Sequence, residues 1–101
     1  MITIVIQHPV ADYQAWKQTF DRDPLGRAAS GVTGHAIYLT SDPASVLVLL
    51  DFATRKQAED YLPRLQELWK NVSGALGLER PTAKICEGME TAGNLKPRSP
   101  A

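Results

Sequence analysis

The two histidines of the chain, His8 and His35, are the side chains best suited to move a proton near neutral pH. A free imidazole has a pKa of about 6.5, so it can act as a general base or bind a polar group of a ligand. His8 ends one predicted strand, where clefts often open, and His35 lies inside another. The alternative is a histidine held by a structural hydrogen bond, and the sequence leaves both interpretations open.

Neither a metal site nor a cysteine nucleophile is expected. In the sheet order argued below, a third strand separates the two histidines, which places them roughly 10 Å apart across the sheet. Metal–nitrogen bonds of ~2 Å cannot span that separation within one chain. Cys86, the single cysteine, has no neighbouring base in the sequence, so an inert buried thiol is predicted.

Two short runs, residues 2–6 and 46–50, determine how these side chains are positioned, because both are apolar at odd and even positions. Alternate side chains of a strand point to opposite faces, so both faces of each strand must be covered. The amphipathic helical pattern that follows each run can cover only one face. A second copy of the chain is the simplest cover for the other, and we predict a homodimer.

The chain is predicted to fold as strand, helix, strand, strand, helix and strand. The strands are predicted at 2–7, 32–40, 45–52 and 81–87, and the helices from Asp12 to about Phe20 and from Thr54 to Gly74 or Gly77. This α+β order is the ferredoxin-like βαββαβ arrangement, with an antiparallel sheet in the order 4-1-3-2. The doubly apolar runs then form the central strands. Pro63 lies inside the second helix, so a kink or two abutting helices are expected.

Composition predicts one domain, at 1–90, followed by a disordered tail at 91–101 that has no apolar pattern. Lys plus Arg and Asp plus Glu both number 11, so the net charge of zero indicates neither a nucleic acid nor an anionic membrane as a partner. No run approaches the ~20 apolar residues of a membrane-spanning helix. The single cysteine and the lack of a signal-peptide pattern favour the cytoplasm.

Three segments carry a resemblance to a known family: HPVADYQAWK at 8–17, DPLGR at 23–27 and SGVTGH at 30–35. They resemble bacterial proteins of the dimeric α/β-barrel superfamily, over roughly residues 2–88. The chain is most similar to the branch that resembles antibiotic-biosynthesis monooxygenases. The resemblance implies two sheets packed face to face in a homodimeric barrel, with the helices outside. It also implies a small-molecule cleft between each sheet and its helices.

Three functions remain open, and the sequence does not decide whether the protein is an enzyme. The first is a cofactor-independent monooxygenase, in which a deprotonated aromatic or polyketide-like substrate itself reacts with oxygen. The second is haem binding or degradation with a histidine as axial ligand, although no cofactor is otherwise expected. The third is a non-catalytic dimer that binds a small molecule or assists another protein.

The site is predicted between the first helix, the loop that follows it and the sheet, because binding residues collect on loops held by a rigid scaffold. We rank His35 first and His8 second as catalytic residues, with Arg27, Trp16 and Tyr38 as substrate-binding residues. The second helix is predicted to be an apolar lid with no polar residue aimed inward.

Each predicted binding residue also has a structural alternative. Trp16 lies on an apolar helical stripe, where core packing is the commoner role. Arg27 could hold a substrate carboxylate, pair with Asp21 or Asp23, or cross the dimer interface. Strand parity places Tyr38 and His35 on opposite faces of the sheet, so the two cannot both line one cleft.

Overall fold

The computed structural model describes residues 1–41, 44–76 and 81–93, with the side chains of 71–76 excepted. Its elements are β1 (Ile2–Pro9), α1 (Tyr13–Arg22), β2 (Val32–Ser41), β3 (Ala44–Phe52), α2 (Arg55–Leu76) and β4 (Thr82–Glu87). The predicted order of strands and helices is confirmed. Among the described residues, no helix is long and apolar enough to cross a membrane.

The four strands form one antiparallel sheet in the order β2-β3-β1-β4, which is the predicted order read from its other edge. Ile4 of the central strand β1 pairs with Leu50 of β3 on one side and with Ile85 of β4 on the other. The pairing of β2 with β3 shifts register between Val32 and Gly34. This ferredoxin-like topology places the two doubly apolar runs at the centre.

The core lies on the face of the sheet that the helices cover. Strand alternation directs one set of β1 and β3 side chains toward α1 and α2. These side chains are buried: Ile4, Ile6, His8, Val46, Val48, Leu50 and Phe52. The apolar stripe of α2 closes the core with Ala58, Tyr61 and Leu65.

In the described part of the chain, no helix packs against the opposite face of the sheet, and this face is also apolar at its centre. Val5 of β1 pairs with Leu49 of β3 there, and Leu47 follows on the same face. All three side chains are half-buried in the single chain. The alternation argument is therefore correct about where apolar side chains remain without a covering layer.

Both helices begin with the caps that the sequence predicts. The Asp12 carboxylate accepts hydrogen bonds from the backbone N–H groups of Gln14 and Ala15, at 3.0 and 3.3 Å. Thr54 and Gln57 form a reciprocal capping box before α2, with two bonds of 3.2 Å. α2 continues through Pro63, so the alternative of two abutting helices is wrong.

Two predicted segments lie partly outside the described residues. The predicted tail at 91–101 is described only at 91–93, which belong to no helix or strand. The predicted turn between β2 and β3 includes 42–43, which also lie outside the description.

Candidate functional site

A cavity of about 90 Å³ lies between α1, the loop after it, the sheet and α2. Its position agrees with the site predicted from the loop. Most of its wall is apolar. The apolar side chains come from α1, the loop after it, the sheet and α2: Ile6, Trp16, Phe20, Leu25, Val48, Leu50, Leu65, Leu68 and Trp69. The polar groups at its edge are few, so each of them is a candidate for orienting a ligand.

The aromatic stripe of α1 forms one side of the cavity. Tyr13, Trp16 and Phe20 recur at helical spacing and therefore share a face. The Trp16 ring lies 5.6 Å from the His8 ring and 5.2 Å from the Phe20 ring, centre to centre. Trp16 is half-buried and lines the cavity, so it combines the packing role and the wall role that the sequence left as alternatives.

His8 borders the cavity at the end of β1. Its ring is 3% exposed, and Nδ1 lies 3.2 Å from the Pro9 carbonyl oxygen. A carbonyl can only accept a hydrogen bond, so Nδ1 carries the proton and Nε2 keeps its lone pair. Nε2 has no hydrogen-bond partner among the described residues. In this part of the chain, every side-chain nitrogen or oxygen that lacks a partner has some accessible surface. Nε2 therefore faces open space, and the cavity is the space that His8 lines.

Burial also determines the charge of His8. Removal of the ring from water lowers the pKa of His8 below its usual value of 6.5, and this effect outweighs the opposing hydrogen bond to Pro9. The imidazole is consequently neutral at pH 7. A neutral ring with a free Nε2 lone pair can accept a proton from a bound molecule.

His35, ranked first from the sequence, does not line the cavity. It faces the same side of the sheet as His8, but β2 is an edge strand and the His35 ring is exposed. Its ring meets the Phe20 ring at 5.2 Å and lines a shallow groove on the surface. Of the two histidines, only His8 borders the cavity.

Tyr38 lies on the helix-free face of the sheet, as strand parity requires. It pairs with Leu47 of β3, and its side chain is 58% exposed. Tyr38 is therefore not a wall of this cavity. Strand parity predicts this position, because it places Tyr38 on the opposite face from His35.

Arg27 lies at the loop end of the cavity, and its guanidinium is held in place on three sides. The guanidinium carbon lies 3.8 Å from the centre of the Phe20 ring. Nη1 donates to the Phe20 carbonyl at 2.9 Å and lies 3.4 Å from the Asp23 carboxylate. The side chain is 17% exposed. Arg27 thus pairs with Asp23 and lines the cavity as well.

The loop that carries Arg27 is internally bonded and attached to α2. Asp23 adopts a left-handed conformation, φ 53°, and its carboxylate accepts the Arg27 backbone N–H at 2.9 Å. Gly26 supplies a second positive φ, of 63°. Arg64 of α2 donates to Ser30 Oγ and to the Leu25 carbonyl, both at 3.1 Å. These bonds fix the loop course that the Pro-Gly pattern suggests.

Tyr61 is the site residue that the sequence analysis missed. It is 4% exposed and lines the cavity from α2, so the prediction that this helix aims no polar group inward is wrong. Burial raises the pKa of Tyr61, while the positive charges of Arg27 and Arg64 act to lower it and the Asp23 carboxylate acts to raise it. The phenol hydroxyl is therefore protonated at neutral pH and lies within reach of the Arg27 charge.

The cavity does not fit a haem. Binding sites for drug-sized ligands and cofactors enclose about 300–1,000 Å³, several times the 90 Å³ present. Within the described part of the chain, no three side chains among His, Cys, Asp and Glu come together as metal ligands do. The arrangement that is present is a neutral base on one wall, a cationic group with a phenol on another, and apolar surface between them.

Comparison with known proteins identifies the fold. No protein-family model matches the chain, and no curated protein does. Among solved structures, the chain is similar to a provisionally assigned antibiotic biosynthesis monooxygenase from Deinococcus radiodurans. That likeness has a TM-score of 0.64 and 12% identity, and it covers 95% of this chain and 100% of the other.

Two further solved structures are similar to the chain. A dimeric ferredoxin-like protein from an uncultured marine organism has a TM-score of 0.64 at 11% identity, over 89% of this chain and 96% of that one. Rv0793 from Mycobacterium tuberculosis has a TM-score of 0.60 at 15% identity, over 92% and 100%. The resemblance to monooxygenase-like proteins noted in the sequence is matched by these neighbours, and at such low identity they show a shared ferredoxin-like fold.

Proposed function

We propose that this protein binds a small planar organic molecule in the cavity and oxygenates it without a cofactor. The observation that carries the proposal is His8, a buried histidine that lines an apolar cavity and whose Nε2 has no partner among the described residues. Apolar walls favour a ligand that is mostly apolar, and the flat rings of Trp16 and Trp69 favour a planar one.

The reaction begins with proton transfer to His8. Nε2 accepts a proton from an acidic methylene group of the ligand, which leaves a stabilised carbanion. The carbanion reduces dioxygen, carbon and oxygen combine as a peroxide, and His8 returns its proton to that peroxide. Loss of water then gives a ketone, so CH₂ and O₂ become C=O and H₂O. Carbon loses four electrons and the two oxygen atoms gain four.

An apolar enclosure suits this chemistry. The intermediate carbanion would take a proton from bulk water, and the side chains around His8 limit that access. Trp16 contacts the His8 ring and Ile6 lies on the same face of β1, so the base is shielded on two sides.

Oxygen uptake with 2-tetralone, a small ketone with an acidic methylene group, tests the proposal. Because the cavity of about 90 Å³ opens toward solvent, the methylene group can reach His8 while the rest of the ligand extends through the opening. We expect His8→Gln to abolish uptake while 2-tetralone still quenches the tryptophan fluorescence. His35→Gln is the matched control and should retain the full rate, because His35 lies outside the cavity. Uptake that is unchanged in His8→Gln would refute the catalytic role. Binding without uptake in the wild-type protein would favour the non-catalytic alternative.

We also propose that the protein is a homodimer whose interface is the helix-free face of the sheet. Val5, Leu47 and Leu49 leave an apolar centre on that face, and one structural neighbour is described as dimeric. A stable interface of this kind buries ~2,000 Å² or more in total. Light scattering should report a dimer at micromolar concentration and a monomer for Val5→Asp. A wild-type monomer would contradict this assembly.

A further inference from the structure

The Arg27 guanidinium has donors that the protein does not use. Nη1 is occupied by the Phe20 carbonyl and the Asp23 carboxylate. Among the residues that the structure describes, Nε and Nη2 have no partner. A guanidinium presents its N–H groups in a planar fork that matches a carboxylate, and here the fork is already immobilised on Phe20.

The charge around this end of the cavity is not balanced. Two guanidinium groups, those of Arg27 and Arg64, act on the Tyr61 hydroxyl against the single carboxylate of Asp23. That carboxylate is also engaged by the Arg27 backbone N–H, through both of its oxygens at 2.9 and 3.1 Å. Arg64 is exposed and therefore screened by water, whereas the Arg27 side chain is only 17% exposed, so Arg27 is the cation whose charge acts within the cavity.

Tyr61 adds a second unused donor. Its side chain is buried to more than nine-tenths, and its hydroxyl has no hydrogen-bond partner among the described residues. Tyr61 and Arg27 both line the cavity, so the phenol and the guanidinium border the same space. No fully enclosed side-chain oxygen among the described residues lacks a partner, so the Tyr61 hydroxyl has accessible surface from which it can donate to a ligand.

We propose that the ligand of this cavity is an aromatic carboxylate, whose carboxylate binds Arg27 and the Tyr61 hydroxyl and whose ring lies against Trp16 and Trp69. The proposal rests on the ligand-binding part of the proposed function and not on the oxygenation. A small inorganic anion would satisfy the two donors but would leave the aromatic walls without contact. A neutral aromatic compound would fill the walls but leave both donors unpaired.

The test compares benzoate with benzamide, which has nearly the same shape and no charge. Quenching of tryptophan fluorescence at constant ionic strength should show benzoate binding about tenfold or more tightly than benzamide. Arg27→Gln should reduce benzoate affinity to that of benzamide. Tyr61→Phe should weaken benzoate severalfold and benzamide less. Lys56→Gln, which removes an exposed cation elsewhere on α2, is the matched control and should behave as wild type.

Arg27 also fixes its loop, so each variant is checked by circular dichroism, and Arg27→Lys serves if Arg27→Gln does not fold. The lysine keeps the charge but loses the fork, and we expect an intermediate preference for benzoate. Equal binding of benzoate and benzamide by the wild-type protein would overturn the proposal, as would competition by inorganic phosphate as strong as that by benzoate. If neither aromatic probe binds while 2-tetralone does, the carboxylate proposal fails and the proposed function survives. If 2-tetralone also fails to bind, both are wrong.

Discussion

Leu65 of α2 belongs to the core and also lines the cavity, so its size should control both stability and binding. The side chain is 7% exposed and lines the cavity. We expect Leu65→Phe to stabilise the protein and to block ligand binding, because the ring extends into the empty space. Leu65→Ala should destabilise the protein, since it enlarges that space.

The magnitude follows from the cavity volume. Empty volume in a core costs about 24 cal/mol per Å³, so a cavity of about 90 Å³ corresponds to about 2 kcal/mol. This is the upper limit for Leu65→Phe, because the ring fills only part of a cavity that also opens toward solvent. Leu65→Ala should lower the free energy of unfolding by about 2–5 kcal/mol, as other buried Leu→Ala changes do.

Urea denaturation followed by circular dichroism measures both changes, at one fixed protein concentration because the proposed dimer makes the stability depend on concentration. Leu62→Phe is the control: Leu62 is half-buried on the same helix and packs on the core outside the cavity, so binding of 2-tetralone should be unaffected. The reasoning would be refuted if Leu65→Phe lowered the free energy of unfolding by more than about 1 kcal/mol and still bound 2-tetralone normally. That result would indicate an overpacked core and not a filled cavity.

Three other predictions concern stability. Because burial lowers the pKa of His8 below 6.5, the unfolded chain takes up the proton first, and the free energy of unfolding should fall as the pH drops below about 6.5. His8→Gln should remove that part of the pH dependence in denaturant titrations. Asp12→Ala should lower the free energy of unfolding by about 1 kcal/mol, measured in the same way, because the N-cap of α1 is lost. Gly31→Ala should reduce the melting temperature for two reasons: Gly31 has φ 98°, and a Cβ there would lie 2.5 Å from Gln57 Cδ. Adding Gln57→Ala to this variant should restore only the part of the melting temperature that is lost through the clash.

The fold was predictable because its signals are local or periodic. Apolar residues at both parities in β1 and β3 required central strands, and the sheet order followed. The caps at Asp12 and Thr54 are short sequence patterns with a direct physical cause. The continuity of α2 through Pro63 was not predictable in this way, because packing of the apolar stripe can outweigh the loss of one backbone hydrogen bond.

The position of the cavity was predictable from the sequence, but its lining was predictable only in part. The loop after α1 indicated the location, and three of the five named residues, His8, Trp16 and Arg27, do line the cavity. The sequence ranks His35 above His8, but only His8 lines the cavity, because strand parity gives the face of a side chain and not which helix covers it. Tyr61 was missed because a helical stripe predicts burial and says nothing about the direction of a hydroxyl, although a phenol among leucines is itself a signal that a polar partner is needed.

The same side chains that build the cavity also keep it from closing. Trp16 and Phe20 are large rings on the helix that faces the sheet, and Arg27 is stacked on Phe20 and bonded to its carbonyl, so the end of α1 cannot move inward without breaking those contacts. Arg64 holds the other side of the loop to α2. A cavity kept open by bonded neighbours is preorganised, so a ligand has little ordering to do when it binds. Under the proposed function, the unfilled volume is a cost in stability that ligand binding offsets, and this connects the effect of Leu65→Phe to the proposed role of the cavity.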